Sequence, residues 1–216
     1  MKGDIIIVEE HHRNAANQIV PKILSQVKQK KRPYHITVAG ESGSGKSETA
    51  KALAEVFEKE DISVYVIQQD DYFVLPPKSN DAKRRKDPNW RGTMEVDLKR
   101  IDSILSDSYK GKSKFIAPLV IYEDDKIVEE EIDLGEAKVV IAEGTYTTLL
   151  ENVDCRVFIT RNRLETMESR KKRGREAMDP FIEEVLKVEH EIISKHKTKA
   201  DIIITKDYDV DFSQFT

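Results

Sequence analysis

The residues with the clearest chemistry are Gly40-Glu41-Ser42-Gly43-Ser44-Gly45-Lys46-Ser47, which fit the pattern G-x-x-x-x-G-K-[ST] at every fixed position. The glycines Gly40, Gly43 and Gly45 let the backbone close around phosphate oxygens, with Ser42 and Ser44 supplying further loop amides. Lys46 is spaced to reach the β- and γ-phosphates, and the Ser47 hydroxyl to coordinate Mg²⁺. The flanks agree with this chemistry. Residues 34–39 read as a short β-strand, and residues 48–59 as a helix with Ala50, Leu53, Ala54 and Phe57 on one face. Strand, glycine-rich turn and helix are the setting that aims helix-terminal N–H groups at an anion. The plainer alternative is a Gly/Ser turn capping a helix, which motif and context together disfavour. A bound nucleoside triphosphate is the expectation.

Two more strand ends carry carboxylates. Residues 62–67 form a second strand ending at Asp70-Asp71, and the apolar run 137–142 ends at Glu143-Gly144. Open α/β sheets bind ligands at the carboxyl ends of their strands. A carboxylate there can take the proton of an acceptor hydroxyl during phosphoryl transfer or support Mg²⁺. An Asp after a strand can also be a simple turn or cap. The basic run 161–176 follows another short strand, 155–160, and contains Arg163, Arg170, Arg173 and Arg175. Such a run is either a solvated helix face or a lid whose arginines neutralise charge on the transferred phosphoryl group.

The elements that must position these groups alternate along the chain. Residues 4–9 read as a strand or extended arm, and residues 13–30 as a helix in which Pro21 marks a kink or a helix start. Residues 28–33 form a basic connector. Residues 78–92 read as a long polar surface loop carrying Lys83-Arg84-Arg85-Lys86, Asp87 and Trp90. A helix at 96–109, a β-hairpin at 114–121 and 126–132, an amphipathic helix at 181–196 and a last strand at 201–205 follow. The alternation predicts an α/β fold: a doubly wound, mainly parallel sheet in one domain, residues 1–216, with residues 1–33 as an N-terminal extension. That extension either packs on the core or makes a contact in a homo-oligomer. The adjacent His11 and His12 read as a solvated pair, too few for a metal site.

Composition narrows the class. The 216 residues suffice for a sizeable core, and 35% charged against 38% hydrophobic residues implies a heavily solvated surface. A net charge of −4 gives no global basic field for nucleic acid, and no apolar run reaches the length of a membrane span. A single cysteine, Cys155, fits a reducing compartment, so the expected location is cytoplasmic, with neither nucleic acid nor membrane as partner.

In order, GESGSGKS, QQDDYF, APLVIYED, VVIAEGTY, RLETMESRKKRGRE and ADIIIT resemble the uridine kinase and phosphoribulokinase family of P-loop small-molecule kinases, over residues 34–207. The resemblance implies a P-loop nucleoside triphosphate hydrolase fold with an inserted hairpin and an arginine-rich lid. It implies ATP and Mg²⁺ as cofactors and a small-molecule acceptor, with the 5′-hydroxyl of uridine or cytidine foremost. The family's catalytic aspartate falls on Asp70, and its metal-site glutamate on Glu143. Its nucleoside contact falls on Tyr122, with Tyr72 and Asp87 as further acceptor candidates, and its lid arginines on Arg170 and Arg175. Lys46 and Arg170 join Asp70 as expected catalytic residues. The family's acidic His-Pro stretch is absent, and the basic 83–91 segment stands in its place. Acceptors such as nicotinamide riboside, pantothenate or a sugar phosphate are therefore alternatives. A non-catalytic nucleotide-binding switch is another, although neither N-K-x-D nor D-x-x-G occurs.

Overall fold

Seven consecutive buried residues make β1 (Tyr34–Gly40) the centre of the molecule. A strand with no exposed face belongs in a parallel sheet covered on both sides. It pairs in parallel with β5 (Val139–Glu143) on one edge and with β6 (Cys155–Ile159) on the other. β2 (Val64–Gln68) extends the sheet beyond β5, and β7 (Ile202–Ile204) extends it beyond β6. β8 (Val210–Asp211) joins β7 antiparallel, giving the order β2-β5-β1-β6-β7-β8. This computed structural model describes residues 6–173 and 179–215, apart from the side chains of residues 169, 172 and 173. The expected doubly wound, mainly parallel sheet is present. Its short antiparallel end strand β8 is an addition that two residues of sequence could not announce.

Helices cover both faces. α1 (Glu10–Gln29) and α2 (Lys46–Lys59) pack together on one, where Ala15, Ala16, Ile19, Val20, Ile23 and Val27 meet Leu53, Phe57, Ile36 and Val38 in a continuous core. Burying each of these larger aliphatic side chains contributes about 1.5–3 kcal/mol, so α1 is an integral layer of the core. It begins at Glu10 rather than Arg13, because the Glu9 N–H donates to His12 Nδ1 at 3.0 Å and caps the first turn. It also continues through Pro21 without ending there. On the other face α4 (Leu98–Tyr109) buries Ile101, Ile104 and Leu105 against Val140, Ala142 and Phe158. α6 (Pro180–Ile193) adds Ile193 to that cluster. It stops three residues short of the expected end and passes into a 3₁₀ turn, Ser194–Lys199. The hairpin of β3 (Lys114–Ile121) and β4 (Lys126–Asp133) stands as a separate two-stranded sheet.

The largest departure from the sequence reading lies at 78–92. Most of that stretch is helical: α3 (Pro77–Lys86), then 3₁₀ turns at Pro88–Trp90 and Thr93–Glu95. Pro77 suits the first helical position, where its missing N–H costs nothing. Apolar periodicity is absent because polar pairs replace it. Lys83–Asp87 and Arg85–Asp81 bridge successive turns at 3.2 and 2.8 Å. The buried Glu95 carboxylate accepts from Asn80 Nδ2 at 2.6 Å, Arg84 Nε at 2.5 Å and the Gly92 N–H at 2.7 Å.

Candidate nucleotide and acceptor site

Register brings the chemistry together. Glu143 at the end of β5 lies opposite Val38 of β1 and Gln68 of β2. Gly40 and Asp70 each stand two residues beyond those partners, so the phosphate loop, Asp70 and Glu143 emerge at one end of the sheet. Gly43 and Gly45 have φ of 75° and 96°, a region that other residues rarely adopt. Lys46, at the start of α2, donates from Nζ to the Glu41 carbonyl at 2.9 Å across the loop.

Ser47 Oγ donates to Glu143 Oε1 at 2.9 Å. Glu143 is 4% exposed. Burial, followed by the charge of Asp70, pushes its carboxyl up to about 7 against the opposing effects of Lys46 and Ser47. A hydroxyl beside a buried carboxylate whose charge is poorly compensated offers oxygen ligands that suit a hard divalent cation such as Mg²⁺. Ser47 and Glu143 would hold it.

Asp70 and Asp71 diverge. Asp71 Oδ1 accepts the Val120 N–H at 2.9 Å and ties the end of β2 to the hairpin. Asp70 instead lines a cavity of about 370 Å³ together with Ser42 of the phosphate loop. Around them stand Phe73, Asn80, Asp81, Arg84, Arg85, Tyr122 and Glu189, with Ile182, Val185 and Leu186 from α6. Tyr122 thus shares the cavity with Asp70. Two other expected acceptor contacts do not line it. Tyr72 is 3% exposed, packs in the apolar core and lines a neighbouring cavity with Asp71, Ser47 and Glu143 instead. Asp87 caps the next turn, accepting the Asn89 N–H at 3.1 Å. Trp90 is also outside the cavity wall, its Nε1–H donating to Asn80 Oδ1 at 2.7 Å.

The basic run reaches the loop through Arg170 in α5 (Met167–Arg173). Its side chain is buried over Gly43, where an added Cβ would lie 2.7 Å from Arg170 Cγ. Arg170 Nη2 donates to the Arg163 carbonyl at 3.0 Å and lies 3.5 Å from Glu183. Arg175 lies outside the described residues.

Several contacts escaped sequence reasoning. Glu41, 5% exposed inside the phosphate motif, accepts the Arg163 N–H at 2.5 Å and pairs with His190 Nδ1 at 2.6 Å. The neighbouring Glu189 accepts the Ser42 N–H at 2.8 Å. Consecutive residues of α6 therefore clip consecutive residues of the phosphate loop. The arginines of α3 and of the turn after it are matched by acids. Arg84 meets Glu95, Arg85 meets Asp81 and Asp179 at 2.8 Å each, and Arg91 meets Glu184 at 3.3 Å. Among the described residues, no helix is long and apolar enough to cross a membrane.

The Zeta toxin family matches residues 20–117. The chain is 32% identical over 186 residues to the bifunctional alpha-galactosidase/sucrose kinase AgaSK of Mediterraneibacter gnavus, covering 80% of this chain and 20% of that protein. It is 30% identical over 133 residues to a uridine kinase of Ureaplasma parvum, covering 60% of this chain and 63% of the relative. It thus spans less than two thirds of either relative. The fold matches that of a possible uridine kinase from Bacillus stearothermophilus with a TM-score of 0.64 at 19% identity, covering 88% of this chain and 97% of the other. With a phosphate loop, strand-end carboxylates and an arginine packed on the loop, the chain has the P-loop nucleoside triphosphate hydrolase fold and is similar in sequence to uridine kinases.

Proposed function

We propose that the protein transfers the γ-phosphoryl group of ATP to a hydroxyl of a neutral, polyhydroxylated small molecule, with a carbohydrate as the leading acceptor. The observation that carries this reading is the cavity shared by Asp70 and Ser42, whose arginines, Arg84 and Arg85, already face carboxylates. An acceptor bearing phosphate would have to displace those acids. A neutral polyol can instead exchange hydrogen bonds with Asp81, Asn80, Arg84 and Glu189. In support, the match to the relative named a sucrose kinase extends over 80% of this chain.

On this reading the groups divide the chemistry between them. Asp70 takes the proton of the acceptor hydroxyl as its oxygen bonds to the γ-phosphorus, and the bond to the β–γ bridging oxygen breaks to release ADP. Lys46 and Arg170 lie at the loop and offset charge on the phosphates. Mg²⁺ held by Ser47 and Glu143 supplies further neutralisation when bound.

Uridine or cytidine is the second reading. It is favoured by Phe73 and Tyr122, which give the cavity aromatic surface, and by the uridine kinases among the relatives. The deciding experiment is ADP release with ATP and Mg²⁺ against hexoses, disaccharides, uridine, cytidine and their phosphates. Turnover with a neutral sugar is expected. Selective turnover with uridine would install the second reading, and a preference for a phosphorylated acceptor would contradict both.

A further inference from the structure

The N-terminal helix and the C-terminal turn meet beneath the phosphate loop, at a place the phosphoryl-transfer chemistry does not use. Tyr208, in the turn between β7 and β8, is 7% exposed and holds a φ of 67°. Its hydroxyl donates to the Ser44 carbonyl at 2.6 Å and lies 3.2 Å from His12 Nε2. His12 Nδ1 accepts the Glu9 N–H, so the ring's proton sits on Nε2 and is donated to Tyr208. The hydroxyl's single proton then remains for Ser44. Every donor and acceptor in the chain Glu9–His12–Tyr208–Ser44 is thus assigned without conflict. Burial, helped by His11 and Arg161, lowers the His12 pKa to about 4 and keeps the ring neutral, as this arrangement requires. His11, His12 and Glu9 also have the spacing of a metal cluster. However, both His12 nitrogens are engaged in this chain, which leaves no ligand atom free without breaking it.

A peptide is planar and trans, so its C=O and N–H point in opposite directions. Tying the Ser44 carbonyl to Tyr208 therefore turns the Gly45 N–H the other way, into the loop. The same contact makes a side chain at Gly45 intolerable: an added Cβ would lie 1.9 Å from the Tyr208 hydroxyl and 2.9 Å from His12 Nε2. We infer that Tyr208, steadied by His12, is a positioning residue that fixes the Ser44–Gly45 peptide and so presents the Gly45 amide to nucleotide phosphate. The α1 extension then has a role in nucleotide affinity as well as in the core. The inference rests on the loop's taking nucleotide phosphate and is independent of the acceptor.

The test is ADP binding by calorimetry, with KM measured separately for ATP and for the acceptor, on the full chain. Tyr208→Phe removes one oxygen and keeps the ring. It should weaken ADP binding and raise the KM for ATP about fivefold, the value of one hydrogen bond, with the acceptor KM unchanged. His12→Gln, whose amide can still donate to Tyr208, should bind ADP like the wild type. His12→Leu should lose affinity, and should lose no more when combined with Tyr208→Phe. A general loss of packing would not split the two KM values in this way. ADP binding by Tyr208→Phe within twofold of wild type, or an equal rise in both KM values, would overturn the inference. If Tyr208→Phe does not fold, the contrast between His12→Gln and His12→Leu decides. Wild-type protein that binds no ADP would instead remove the phosphate-loop reading itself.

Discussion

Asp154 is the clearest place to test the energetics, because one carboxylate there ties the connector after α1 to the sheet. Its side chain is 7% exposed and accepts from Lys30 Nζ and both Arg32 Nη atoms at 2.8 Å, the His35 N–H at 2.9 Å and the Tyr109 hydroxyl at 3.0 Å. In Asp154→Ala the two cations, 39% and 30% exposed, recover water, so losing their pairing costs about 1 kcal/mol. The His35 N–H and the Tyr109 hydroxyl each lose a partner in a largely buried setting, at about 1 kcal/mol apiece. The expected loss is ~3 kcal/mol, or ~6–12 °C in Tm for a chain of this length. Thermal melts of wild type and variant across pH give a second readout. Burial opposes ionisation of Asp154, but hydrogen bonds from Arg32, Lys30 and the His35 N–H outweigh it and hold the carboxyl well below the usual range. A folded-state value below the unfolded value of ~3.9 means that the stabilisation is complete above that value. It is lost as pH falls through the folded value. The Tm gap between wild type and Asp154→Ala should therefore be constant from about pH 8 to about pH 5 and narrow below about pH 4. A gap under about 2 °C at neutral pH, or one that persists undiminished in acid, would rule out this role for Asp154.

Two further outcomes follow from the site. Glu143→Gln keeps an acceptor for Ser47 but removes the negative charge, so the half-saturating Mg²⁺ concentration for turnover should rise about tenfold or more. Because the Glu143 carboxyl is raised in the fold, its ionisation costs stability as pH rises from the ordinary glutamate value through about 7. Metal-free Glu143→Gln should therefore melt above wild type at alkaline pH and converge with it in acid, as read by scanning calorimetry. Glu189→Ala removes a carboxylate that competes with phosphate for the Ser42 N–H, so ADP binding should tighten about fivefold by calorimetry.

What could be read in the sequence was what is local. The phosphate loop, its flanking strand and helix, and the carboxylates at the ends of β2 and β5 are set by spacing over a few residues. Apolar periodicity outlined α2, α4 and the hairpin for the same reason. α3 escaped because acid–base pairs and the buried Glu95 hold it, and such pairs leave no apolar period. The clip from Glu189 to Ser42 joins residues 147 apart, and the contact from Tyr208 to Ser44 joins residues 164 apart. A single tyrosine or glutamate at such a distance carries no local signal of what it will touch. Tyr72 and Asp87 went astray differently: both are near the cavity in sequence, but side-chain direction, which spacing in an irregular turn does not fix, takes them elsewhere.

The central claim is that Asp70 activates the acceptor hydroxyl beside the phosphate loop. It is tested most directly by single-turnover transfer from ATP in Asp70→Asn, with ADP affinity measured alongside. The expected transfer rate is reduced about 10²- to 10⁴-fold, with nucleotide affinity within a few-fold of wild type. Transfer at the wild-type rate by a folded, nucleotide-binding Asp70→Asn would contradict it.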